Sequence, residues 1–229
     1  MSCGYSEVQP LLAAAANEAM ANGILSKPQL DTYQREIERY GGDEGMVLTE
    51  RLFSADSAGA LEIIASFEGE TDLDARFRLT LRGMDQLLDD LQFTLAEKCT
   101  LLINLSAGRK TEFFADARFE RQLGEHYRRE RLHLESLLDR SVDPSSPFAP
   151  ALATFKARSE RLRPVAEALR QCASAGYLKT SLAELAGSFL HMHANRMLRS
   201  AARAQELVLY DFLGRLYKGQ IARAGTSTT

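Results

Sequence analysis

The chain has 229 residues, 45% of them apolar and 26% charged, ordinary globular values that exclude disorder and fibres as its main state. Lys and Arg number 28 against 31 Asp and Glu, a formal charge of −3, so direct nucleic-acid binding through a basic excess is not expected. No window offers the roughly 20 apolar residues of a membrane span, Met1 to Glu7 lacks the basic start of a signal peptide, and Cys3, Cys99 and Cys172 show no CxxC spacing, so a cytoplasmic chain without a disulfide framework or zinc ribbon is expected.

Helical periodicity dominates in chain order. Glu7 to Met20 carries Val8, Leu11, Leu12 and Ala15 at helical spacing, and Asn22-Gly23 ends it. Ser26-Lys-Pro28 is a turn. Gln29 to Tyr40 interleaves Leu30, Tyr33, Ile37 and Tyr40 with charges and stops at Gly41-Gly42, which reads as extended. Asp43 to Ser54 predicts a helix with Met46, Leu48, Leu52 and Phe53 inward. Asp56 or Ser57 would cap a further helix, Ala58 to Phe67, before a polar break at Glu68 to Asp72.

Leu73 to Leu95 predicts one long helix through Phe77, Leu81, Met84, Leu87, Leu88 and Leu91. Glu97 to Leu105 continues the style, and Ser106 to Lys110 reads as a loop. Phe113 to Arg140 is charged and helical, with eight basic residues from Arg109 to Arg140 balanced by seven acidic ones from Glu112 to Asp139. That balance fits a solvated, salt-bridged face better than a nucleic-acid stripe. Ser141 to Pro147 is a linker between helices. Phe148 to Ala175 is helical, with Pro164 as a point of bending. Ser181-Leu-Ala-Glu184 fits a capping box for a helix over Leu182 to Arg199. Ala201 to Ala222 is the last helix, followed by a polar tail from Gly225 to Thr229. The sum is a single, predominantly α-helical (α+β) domain with a small N-terminal strand element near residues 29–40.

Two patches could carry chemistry. Thr32 to Gly42 sets Glu36 and Arg39 just before two glycines, which allow a sharp turn and an anion-binding or proton-transfer site. On a regular strand those two side chains would face opposite sides, so serving one site requires a bulge or an end between them. The alternative is a solvated edge strand with salt bridges. The second patch is His191-Met-His-Ala-Asn-Arg196. At about 100° per residue, Leu185, Ala186, Phe189, Met192, His193 and Arg196 share one face, with His191 opposite, near Asn195. The histidines are spaced two apart, which splays them and disfavours a metal. They read either as a structural polar network or as one acid/base histidine. Phosphate-loop, G-x-S-x-G and Cys-His signatures are missing from the chain.

Taken together, Thr32-Tyr33, Glu36-Ile-Glu-Arg-Tyr-Gly-Gly42, Glu50-x-x-Phe53-x-x-Asp56-Ser57, Ser188 to Arg196 and Glu206-x-x-x-Tyr210 resemble the C-terminal domain of lantibiotic dehydratases, also found free-standing in thiopeptide-type bacteriocin biosynthesis. The resemblance runs from about Glu7 to Arg223. It implies β-elimination of glutamate from glutamylated Ser or Thr of a precursor peptide, after a glutamylating dehydratase subunit has acted, with no metal or redox cofactor. It implies Glu36, Arg39 and His191 as catalytic residues: His191 moves the proton, Arg39 holds the glutamyl carboxylate or the enolate, and Glu36 orients one of them. Arg39, Asn195 and Arg196 are the implied substrate-binding residues. Family members normally begin with an additional arginine-bearing segment, and this chain is expected to start after it. That would leave residues 29–40 as an edge inviting pairing with another chain, a second copy included. A pyridine-forming cycloaddition enzyme and a non-catalytic partner subunit are the alternative expectations.

Overall fold

A computed structural model describes residues 5–29, 31–66, 73–139, 145–199 and 202–226. The described helices are α1 (Tyr5–Ala21), α2 (Gly42–Ala65), α3 (Leu73–Asp90), α4 (Leu95–Glu112), α5 (Ala117–Leu138), α6 (Ala149–Ser174), α7 (Leu182–Met197) and α8 (Ala202–Thr226). The chain divides into two compact units, Met1–Arg35 and Glu36–Thr229. The first is built on α1. In the second, α4 lies along α8, α2 along α6 and α3 along α7. Leu87, Leu88, Leu102, Leu190 and Leu213 sit in its main core, each burying a side chain worth about 1.5–3 kcal/mol of transfer free energy. A smaller cluster joins Ile63, Leu79, Phe155 and Met197. Among the described residues, no helix is long and apolar enough to cross a membrane.

The fold is predominantly α-helical as expected, but the strand near residues 29–40 is not there: no described residue is in a strand. The chain instead closes a single helical turn from Glu36. The amide of Gly42 donates to the carbonyl of Ile37 at 2.8 Å and that of Gly41 to Glu38 at 3.4 Å, with Gly41 left-handed at φ 85°. This paired closure at a left-handed residue is a helix C-cap, and the two glycines favour it over a strand end. The turn is pinned from α7's side, where the amide of Lys179 donates to Gly41 and the hydroxyl of Thr180 to Glu38. Tyr40 is buried beneath it, parallel to Phe189 and edge-on to Phe53.

The same motif recurs at Gln92 (φ 59°) and Phe114 (φ 51°). It ends α3 at Asp90, so Leu95 belongs to α4, whose capping box is Thr94 with Glu97. The expected loop at Ser106 to Lys110 is helical, the last part of α4. Asp56 and Ser57 cap nothing: α2 runs unbroken through them. The Ser181–Glu184 capping box of α7 is as expected. The polar break at 68–72, residue 30, the linker's first residues 141–144 and the tail from 227 lie outside the described residues.

Gly45 shows how closely the turn is seated on α2. A Cβ there would lie 2.1 Å from the carbonyl oxygen of Tyr40, so Gly45→Ala is expected to lower stability by about 1–3 kcal/mol. At Gly59 of the same helix an added Cβ meets nothing nearer than 3.6 Å, and Gly59→Ala should be neutral or stabilising by about 0.5–1 kcal/mol. Denaturant midpoints of the two variants measure the contrast, and equal midpoints would contradict it.

Candidate functional site

The two motif histidines of α7 point into different environments. His193 is buried and places Nδ1 2.9 Å from Oδ1 of Asp56. Arg158 donates to the same oxygen at 2.9 Å and to the carbonyl of Gly83 at 3.0 Å. Arg196 reaches Oδ2 of Asp56 at 3.3 Å and Ser57 at 2.7 Å, and its guanidinium lies over Phe53. Burial alone would raise the Asp56 carboxyl. His193, Arg158 and Arg196 outweigh it and hold the group far below the usual carboxylate range. This is an ion cluster inside the core, tying α2, α3, α6 and α7 together.

His191 lines an open cleft of about 540 Å³ bordered by the 36–41 turn, α4, α7 and the start of α8. Arg39, Arg109 and Arg203 line the same cleft, along with Asn104, Glu184 and Ser188. Behind His191, Glu206 is fully buried, and its Oε1 lies 2.7 Å from Nδ1 of the histidine. The other oxygen accepts two bonds from Arg109, at 2.7 and 3.2 Å, and one from the Tyr210 hydroxyl at 3.2 Å. Burial would raise the Glu206 carboxyl, but the bonds from His191 and Arg109 prevail and hold it below its ordinary value. Burial and the neighbouring Glu206 push the Tyr210 phenol well up, so it stays a donor.

An ionised carboxylate only accepts hydrogen bonds, so Nδ1 of His191 carries the proton. In the neutral ring Nε2 then keeps a lone pair, and Asn195 presents Nδ2 to it at 3.2 Å. The neutral imidazole is therefore held in one tautomer, with its basic nitrogen on the side away from Glu206, the arrangement a general base requires. Arg39, Arg109 and Arg203, which line the same cleft, offer guanidinium groups for an anion formed or released there.

The residues singled out from the sequence are partly brought together. Glu36 and Arg39, three apart on a helical turn, pair at 3.0 Å, and Arg39 shares the cleft with His191. Asn195 touches His191. Arg196 is committed to the Asp56 cluster instead. Sequence reasoning did not find Arg109 or Arg203 as cleft residues. Arg109 lay in a segment taken for a loop, and only the α4–α8 packing sets it against Glu206. Among the described residues, no group of three His, Cys, Asp or Glu is placed to hold a metal ion.

A family model described as "Lantibiotic biosynthesis dehydratase C-term" matches residues 3–217. No curated protein matches the chain, and no solved structure does.

Proposed function

We propose, from the premise that the chain belongs to the lantibiotic dehydratase C-terminal family, that this cleft eliminates glutamate from glutamylated Ser or Thr residues of a precursor peptide. Membership supports a role in lantibiotic-type dehydration. The observation that carries the specific reaction is a histidine oriented by a buried carboxylate, facing a cleft walled by three arginines.

In this reading Nε2 of His191 takes the α-proton of the modified residue once Asn195 has yielded its place. The Cα–H electron pair becomes the Cα=Cβ bond as the Cβ–O bond breaks, and glutamate leaves as a carboxylate. The new imidazolium is stabilised by Glu206. Arg39, set by Glu36, meets negative charge as it develops on the amide oxygen or the departing carboxylate. The substrate is delivered by a glutamylating dehydratase subunit.

The test supplies the purified chain with a glutamylated Ser peptide, with and without the glutamylating subunit, and follows loss of the glutamyl mass. Formation of dehydroalanine is expected. No loss in either condition would sink the elimination reading and favour a non-catalytic partner subunit. A new six-membered nitrogen ring from a dehydrated peptide would favour cycloaddition.

A further inference from the structure

Two of the cleft's arginines, Arg109 and Arg203, take part in an ion arrangement to which the proton transfer by His191 assigns no substrate group. Glu112, the last residue of α4, holds its carboxylate between two arginines. Arg109 donates to Oε2 at 2.8 Å, while Arg203 places Nε 3.0 Å from Oε1 and Nη2 3.4 Å from Oε2. Arg203 thus meets the carboxylate side-on through both oxygens, the geometry in which a guanidinium binds such a group best.

Glu112 is poorly suited to its own position. It stands at the C-terminal end of a helix, where the backbone carbonyls disfavour negative charge. Its side chain is about one-third exposed and that of Arg203 is 62% exposed, so the pair is weakly held and open to exchange. Arg109 and Arg203 both line the cleft. Arg109 also carries Glu206, so one guanidinium links the group that orients His191 to this second carboxylate position.

We infer that Arg109 and Arg203 form the subsite for the free side-chain carboxylate of the glutamyl group, and that Glu112 fills it when no substrate is bound. The inference rests on the elimination reading for the identity of the ligand. Glu112 is chemically the same group: a two-carbon stem ending in a carboxylate. Its bonds show that the two arginines accept a carboxylate of this kind. A glutamyl tail entering the cleft displaces Glu112 into solvent, so the subsite binds glutamate in competition with a residue of its own chain. A glutaminyl group, with no charge at that end, gains little from the exchange.

The test is calorimetric titration of the full chain with L-glutamate and, separately, L-glutamine. Glutamate is expected to bind more tightly than glutamine. Arg203→Gln should weaken glutamate roughly tenfold, Arg203→Lys should recover part of that, and Glu112→Gln should tighten glutamate roughly tenfold. Glutamine should be indifferent to all three. Both positions are solvent-accessible, and far-UV circular dichroism checks the fold. Absence of glutamate binding, glutamate affinity unmoved by the substitutions, or equal shifts for glutamine would each overturn the subsite. The peptide elimination assay, run beside it, separates the two ideas. Turnover with unshifted glutamate affinity removes the subsite and leaves elimination standing. Glutamate binding that follows the substitutions without turnover does the reverse.

Discussion

Asp56→Ala is expected to destabilise the protein by about 3–5 kcal/mol, a large fraction of the roughly 5–15 kcal/mol that holds a domain folded. Asp56 and Arg158 are each about 1% exposed, and Arg158 has few alternatives once the carboxylate is gone. Its Nη2 would keep the Gly83 carbonyl, but its Nε has no partner already. Relief by rearrangement is blocked at His193, because the ring lies against Gly83 so tightly that an added Cβ would meet Nε2 at 2.3 Å. The cost comes from leaving a buried guanidinium with only the more distant Asp90 carboxylate, 3.9 Å away, as its ion partner, not from the worth of the lost pair itself. Asp56→Asn keeps an acceptor and should cost less. Acid sensitivity gives an independent check. The Asp56 carboxyl is depressed in the folded state, so its contribution is complete above the unfolded carboxylate range near 4 and is lost as pH falls through the folded value. In Asp56→Asn that share of the acid slope should vanish from urea midpoints taken at several pH values. A loss below 1 kcal/mol in Asp56→Ala, or an unchanged slope in Asp56→Asn, would contradict this account.

What the sequence disclosed, and what it hid, follow from the same physics. Apolar spacing marked the helices because each buries one stripe, and the Ser181–Glu184 box marked the start of α7 because capping is local chemistry. Helix ends were legible where glycine supplies the left-handed residue, as at Gly23. They were missed at Gln92 and Phe114, where the same closure uses residues with no such preference. That is why α3 was read too long and the end of α4 as a loop. At Gly41-Gly42 the glycines were noticed, but a helical cap was taken for the end of a strand; the distinction lies in backbone bonds to Ile37 and Glu38. The split of α2 at Asp56 came from giving a capping role to a residue whose partners, His193, Arg158 and Arg196, are about a hundred or more positions away. The opposite faces of His191 and His193 were visible from helical geometry alone. Glu206 was seen only as part of a pattern with Tyr210, and its placement behind His191 needs the packing of α7 and α8.

Replacing His191 with alanine is expected to lower the rate constant for glutamate elimination by about 10²- to 10⁴-fold, the usual worth of a positioned general base. Its side chain is partly exposed to the cleft, so the protein should fold and bind peptide nearly as before, with kcat falling and KM holding. Added imidazole should restore part of the rate, because the missing group leaves a gap beside Glu206 and Asn195 that a small base can enter. A merely structural histidine would show no such rescue. Glu206→Gln tests the orienting role. The amide can present either an acceptor or a donor to Nδ1, so the tautomer is no longer fixed, and the imidazolium loses its counter-charge. A drop in kcat of about ten- to a hundredfold is expected, with some loss of stability because Arg109 keeps only Glu112. Glu206 is held below its ordinary value, so it stays ionised through the neutral and mildly acidic range. Its contribution to stability is complete above the unfolded carboxylate range and fades only as pH falls through the lowered folded value. An acid limb in the pH–rate profile between about 5 and 8 therefore cannot come from Glu206. Elimination unchanged in His191→Ala, or a loss that imidazole never relieves while peptide binding disappears with it, would remove the histidine from the chemistry.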